Sequence, residues 1–122
     1  MSKAKLHDVE PVLAVRDVAA SVAFYGKLGF TLRWKDERYA VVVRDAVCLH
    51  LQWHDAKEWA HGIDRPMLRF VVPDVAALHK EYAPLGVFHD QTRLETTSWG
   101  TQEFAFYDPD RNGLTFYRDL SR

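Results

Sequence analysis

The chain holds a single cysteine, Cys48, among its 122 residues, so no disulfide can form within it. It has no apolar run near the roughly 20 residues that a membrane-spanning helix needs. Neither sign of charge is in excess, with 16 basic and 17 acidic residues. A net charge of −1 gives no electrostatic reason to expect nucleic acid or an anionic membrane as partner. The first ten residues, MSKAKLHDVE, lack the apolar stretch of a secretory leader, and the expectation is a cytoplasmic protein. Gly-rich phosphate loops, the G-x-S-x-G elbow and Cys-x-x-Cys are all missing. What the sequence does have is aromatic residues, at 13% with four tryptophans, more than a small core would absorb.

It also has a repeat. Residues 15–29 read VRDVAASVAFYGKLG, and residues 72–86 read VPDVAALHKEYAPLG. Val, Asp-Val-Ala-Ala, Tyr and Leu-Gly recur in register, which implies two copies of one supersecondary unit. Each copy encodes an amphipathic helix. Asp17 and Asp74 are placed to cap it, and Gly29 and Gly86 to end it in a left-handed residue. Val18, Val22, Tyr25 and Leu28 form one apolar stripe; Val75, Leu78, Tyr82 and Leu85 form the other.

Around these helices the pattern predicts strands over 11–16, 30–34, 39–44 and 47–53 in the first half. In the second half it predicts strands over 67–72, 87–94, 103–107 and 114–118. Asp45-Ala46 reads as a tight turn. So does the run 108–113 (DPDRNG), where Asn112-Gly113 would tolerate positive φ. The expectation is one α+β domain of two tandem β-α-β-β-β modules, residues 9–53 and 67–118. Residues 54–66 would link them, with a helical turn near Trp59, and residues 1–8 would form a polar arm.

The double β-α-β-β-β order, the helix entry VRDVAASVAFYGKLGF and the segment EFAFYDPDRNG together resemble the vicinal oxygen chelate superfamily. This group includes glyoxalase I, extradiol dioxygenases, fosfomycin-resistance transferases and bleomycin-resistance proteins. The resemblance implies open, curved half-barrel sheets with helices outside and a pocket on the concave face. AVVVRDAVCLHL at residues 40–51, and Trp99-Gly100 shortly before Glu103-Phe104, look most like the bleomycin-resistance branch. That branch implies a homodimer, often with exchanged N-terminal arms, that holds its drug without chemistry or cofactor.

The enzymatic branches hold a divalent metal through four strand positions, which fall here on Glu10, His50, Met67 and Thr115. Only Glu10 and His50 carry suitable donors, so a site without metal is expected; Glu10 and His50 would be the ligands if one were bound. Strand alternation puts Cys48, His50 and Gln52 on the pocket face with Met67, Arg69, Thr115 and Tyr117. Tyr39, Trp53, Trp59 and Trp99, at strand ends or in loops, would offer flat faces to a planar, partly cationic ligand. Tyr39 and Trp99 match aromatic positions of the drug groove. Arg69 departs from an aromatic one, and the near-neutral charge departs from the acidic character common in that branch. The expected function is sequestration of a bleomycin-type glycopeptide or similar bulky aromatic antibiotic. The alternatives are a metal-dependent enzyme of the glyoxalase or dioxygenase kind, or a small-molecule sensor or carrier.

Overall fold

The computed structural model describes residues 2–55 and 65–121. Trp59 and the helical turn expected around it lie outside the described residues. The chain divides into two compact units, Met1–Trp53 and His54–Arg122.

The first unit runs β1 (Val12–Val15), α1 (Val18–Lys27), β2 (Thr31–Lys35), β3 (Tyr39–Arg44) and β4 (Val47–Trp53). Its sheet has the order β1-β4-β3-β2, with β1 parallel to β4 and the remaining pairs antiparallel. The second unit repeats this plan with β5 (Met67–Val71), α2 (Val75–Tyr82), β6 (Glu95–Thr96), β7 (Thr101–Tyr107) and β8 (Gly113–Asp119). Its order is β5-β8-β7-β6, again with one parallel pair, β5 and β8. Both are open, mixed, four-stranded sheets, and the α+β expectation of two β-α-β-β-β modules holds.

The local chemistry that starts the helices is duplicated as the repeat predicts. Asp17 accepts from the Ala20 N–H and Asp74 from the Ala77 N–H, each at 3.0 Å. Such a cap is worth about 1 kcal/mol. Gly29 and Gly86 take φ values of 92° and 74°, where a side chain would be strained. Gly29 directly follows the end of α1, whereas α2 stops at Tyr82 and a 3-10 turn over Ala83–Leu85, carrying Pro84, comes before Gly86. At Gly29 the space is also taken: a Cβ there would lie 2.9 Å from Nη1 of Arg44, which donates to the Leu28 carbonyl.

Each helix buries its stripe against one sheet face. Val18, Tyr25 and Leu28 pack with Leu13, Val15, Val42, Leu49 and Leu51 in the first core. In the second, Tyr82 meets Phe104, Phe106 and Phe116 edge-on at 5.5–6.3 Å. A fully buried side chain of this size stabilises by about 1.5–3 kcal/mol. The other face of each sheet carries the residues of functional interest.

Two expectations fail. Residues 87–94 are not a strand; only Glu95–Thr96 pair with β7. Side chains hold this segment where a ladder would have. The His89 N–H donates to Thr92 Oγ1 at 3.0 Å, Thr92 Oγ1 donates to the Ala105 carbonyl at 2.8 Å, and the Tyr107 N–H donates to His89 Nε2 at 3.0 Å. In the turn after β7, the left-handed residue is Arg111, at φ 66°, and not Asn112 or Gly113. Asp108 makes that possible: its Oδ1 accepts from the N–H groups of Asp110 and Asn112, and its Oδ2 from Asn112 Nδ2. Gly113 instead leaves room for the Met67 side chain, whose Sδ would lie 2.5 Å from a Cβ there and would have to move aside.

Candidate functional site

In the first unit, parallel pairing sets Val12 beside His50, and the His50 N–H donates to the Pro11 carbonyl at 2.9 Å. This register brings Glu10 next to the face shared by Cys48 and His50. Nε2 of His50 lies 2.7 Å from Glu10 Oε1, and Nδ1 lies 2.6 Å from the Tyr39 hydroxyl. A carboxylate only accepts, so in the neutral ring Nε2 carries the proton and Tyr39 donates to Nδ1. The Tyr39 ring also stands edge-on to the imidazole at 5.4 Å. The hydrogen bond from His50, and then that from Cys48, hold the Glu10 carboxyl below its ordinary range. Burial, and then the Glu10 carboxylate, push the Cys48 thiol up, while Arg33 acts weakly the other way.

The row Val12, His50, Val41 and Trp34 crosses all four strands of this sheet. Trp34 joins it because the pairing shifts by one residue between Leu32 and Trp34, leaving Arg33 as the extra residue of a bulge. Without that shift Trp34 would pair with Ala40 and face the core. It is instead exposed on the face of His50, a position the sequence reading missed. Gln52 pairs with Tyr39 and is exposed on this same face. Trp53 alternates onto the opposite face from His50, and the Arg38 guanidinium covers its ring at 5.0 Å.

In the second unit, the face away from α2 carries Met67, Arg69, Ala105, Tyr107, Thr115 and Tyr117. Arg69 lies over the Tyr117 ring at 4.2 Å and pairs with Glu103 at 3.1 Å. Glu103 in turn accepts from Thr101 Oγ1 at 2.8 Å. The cation expected to stand in for an aromatic is therefore itself stacked on one. Beside this cluster is a cavity of about 670 Å³, lined by Met67, Ala105, Tyr107 and the segment His89–Thr92. Sequence reasoning missed it by taking 87–94 as a strand, although the polar run HDQT was a signal against one. Trp99 sits at the other end of β7, in a tight turn between β6 and β7, and is 69% exposed. Thr97 and Thr101 close that turn with backbone and side-chain bonds, and Gly100 takes φ 90°.

The four positions that hold metal in the enzymatic branches do not fit that role here. Glu10 and His50 offer an oxygen and a nitrogen. Their counterparts are a thioether and an alcohol, and Thr115 Oγ1 donates to Met67 Sδ at 3.4 Å, with Thr115 buried. Neither is a good donor for a hard or borderline cation of this kind.

The family model of the Glyoxalase/Bleomycin resistance protein/Dioxygenase superfamily matches residues 5–116. The chain belongs to this superfamily. It is 32% identical over 126 aligned residues to bleomycin resistance proteins of Geobacillus stearothermophilus and Staphylococcus aureus, covering 90% of this chain and 95% of theirs. Among solved structures, a bleomycin resistance determinant encoded on the transposon Tn5 superposes with a TM-score of 0.81 at 21% identity, over 93% of this chain and 98% of that one. The bleomycin-binding protein from bleomycin-producing Streptomyces verticillus, complexed with copper(II)-bleomycin, gives 0.77 at 30% identity, over 93% and 97%. The homology to bleomycin resistance and binding proteins thus runs nearly end to end. Among the described residues no helix is long and apolar enough to cross a membrane.

Proposed function

We propose that this protein binds and sequesters a bleomycin-type glycopeptide, or a similar bulky aromatic antibiotic, and so confers resistance without chemical conversion. The observation that carries this reading is the near-complete alignment, at 30–32% identity, with bleomycin resistance and bleomycin-binding proteins. The geometry supports it. Each sheet leaves one face uncovered by its helix, and these faces present Trp34, Tyr39, Tyr107 and Tyr117 with a few polar groups between them. Flat rings with spaced hydrogen-bonding groups suit a planar, partly cationic ligand. Met67 and Thr115 supply no donors to an enzyme-type metal centre, which favours holding over turnover.

The drug-binding residues under this proposal are Tyr39, His50, Gln52, Met67, Arg69, Trp99, Thr115 and Tyr117, with Trp34 added. Trp53 and Trp59 were also expected there; Trp53 contributes only from its strand end. The working form is a homodimer in the cytoplasm. Exposed apolar side chains support the dimer: Leu6 is 98% and Val71 73% exposed, and Val9, Val12 and Met67 are exposed as well. A partner that covered them would take this apolar area out of water.

Titration of a bleomycin into the purified protein, followed by tryptophan fluorescence, tests the proposal. A saturable change is expected, with the drug recovered unmodified by mass spectrometry. The absence of saturation overturns binding, and recovery of an altered drug overturns sequestration in favour of the enzymatic alternative.

A further inference from the structure

The first unit holds a set of donors that keeps two of the superfamily's metal positions, Glu10 and His50, and takes its third from a cysteine of the same unit instead of from the second unit. The ligand atoms of Glu10, Cys48 and His50 all lie within 4.8 Å of one another. Cys48 and His50 share a face of β4 by alternation, and the β1–β4 register supplies Glu10 from the neighbouring chain segment. All three belong to one unit, and the third donor is a sulfur at a position that the two-unit arrangement does not use.

We propose that Glu10, Cys48 and His50 bind one borderline divalent transition-metal ion of the zinc class, held entirely within the first unit. Tetrahedral bonds of about 2.0–2.3 Å put donor atoms roughly 3.3–3.6 Å apart. The present spacings, from the 2.7 Å hydrogen bond up to 4.8 Å, reach that geometry with shifts of about 1 Å. Glu10 can make such a shift, because it is exposed and precedes the first residue of β1. One thiolate, one imidazole and one carboxylate form a mixed set that suits zinc or cobalt better than magnesium or calcium.

The surroundings already provide what such a site needs. A metal-bound imidazole is usually fixed by a hydrogen bond from its other nitrogen. Tyr39 stands 2.6 Å from Nδ1 and serves that purpose. On binding, the imidazole proton moves from Nε2 to Nδ1 and is donated to the Tyr39 oxygen, while the Cys48 proton leaves to solvent. Three protein donors leave a fourth position for water or for a donor atom of a bound molecule.

The inference does not rest on the sequestration reading, since its test uses the metal alone. Co²⁺ is added stepwise to the metal-free full chain while its absorption is recorded. A sulfur-to-cobalt charge-transfer band saturating at one ion per chain is expected. Cys48 is the only cysteine, so the band reports on this site and no other. C48S should abolish the band and weaken binding at least tenfold, with its fold checked by circular dichroism. Independently of any variant, bound Zn²⁺ should protect the wild-type thiol from iodoacetamide. Binding without the sulfur band, undiminished affinity in C48S, or no protection of the thiol would each overturn the proposal.

Discussion

The Tyr39 hydroxyl and His50 Nδ1 lie 2.6 Å apart across neighbouring strands, so the orientation of the imidazole is set from β3 while its other nitrogen serves Glu10. This one contact separates two contributions of Tyr39. Tyr39→Phe removes the hydrogen bond and keeps the ring. It should cost about 0.5–1.5 kcal/mol, a fall in melting temperature of roughly 2–9 °C for a chain of this size. Bleomycin affinity should stay within about threefold. Tyr39→Ala removes both and should lower affinity about tenfold, equivalent to about 1.4 kcal/mol. Equal affinity losses in the two variants would show that the hydroxyl, not the ring, meets the drug.

Trp99 is exposed at its turn and outside both cores, so its truncation should leave stability within about 0.5 kcal/mol. Aromatic anchors at binding sites commonly cost about 2 kcal/mol or more when removed. Trp99→Ala should therefore weaken bleomycin binding by at least roughly tenfold. Calorimetric melting and fluorescence titration of the same variant decide the matter. Unchanged affinity would move the drug site away from this turn.

The Glu10–Cys48–His50 cluster should shape the pH profile of stability at both ends. The Glu10 carboxyl is held below its ordinary value of 4.5 in the folded protein, chiefly by the bond from His50. Its contribution is present above that value and is lost as pH falls through the lower folded one. Cys48 is raised above 9.0, chiefly by burial. Its contribution is present below 9.0 and is lost as pH rises through the higher folded value. Melting curves of Glu10→Gln should lack the part of the acid loss due to this group. The same variant should alkylate faster at Cys48 near pH 8, because the carboxylate that suppresses the thiolate is gone. An unchanged alkylation rate would remove Glu10 as the cause.

Deleting residues 1–8 should weaken dimerisation. Leu6 in this arm is almost wholly exposed in the single chain and gains most from a partner. Sedimentation at micromolar concentration should show a dimer for the intact chain, whose monomer is 14.1 kDa, and a shift toward the monomer for the truncated one. A monomer in both cases would refute the dimer.

Much of this architecture was legible in the sequence because its signals are local. Asp17 and Asp74 cap the helices they precede, Gly29 stops the first and Gly86 the 3-10 turn after the second, and β3 and β4 fall where their alternation places them. The site was legible only where alternation holds. Cys48, His50 and Gln52 share a face as expected, but Trp34 reached that face through a bulge at Arg33 that the residues TLRWK do not announce. The segment 87–94 was misread for a related reason. Its place beside β7 is kept by the His89 and Thr92 side chains, and such bonds leave no periodic trace. Nor does a linear pattern reveal that Glu10 and His50 already bind each other, since forty residues separate them.

The contact between Thr115 and Met67 bears on how the chain could change. Their substitution effects should not be additive, because each shapes the surroundings of the other. A carboxylate placed at 115 alone would be buried against a thioether, charged and unpaired, at a cost of several kcal/mol. A histidine at 67 alone would take the sulfur from a buried hydroxyl and would crowd the space above Gly113. A path from the Met67–Thr115 pair to two chelating side chains therefore passes through single mutants less stable than the present chain. Under the sequestration reading, exchange between holding a molecule and transforming it is a two-step crossing with a valley in between.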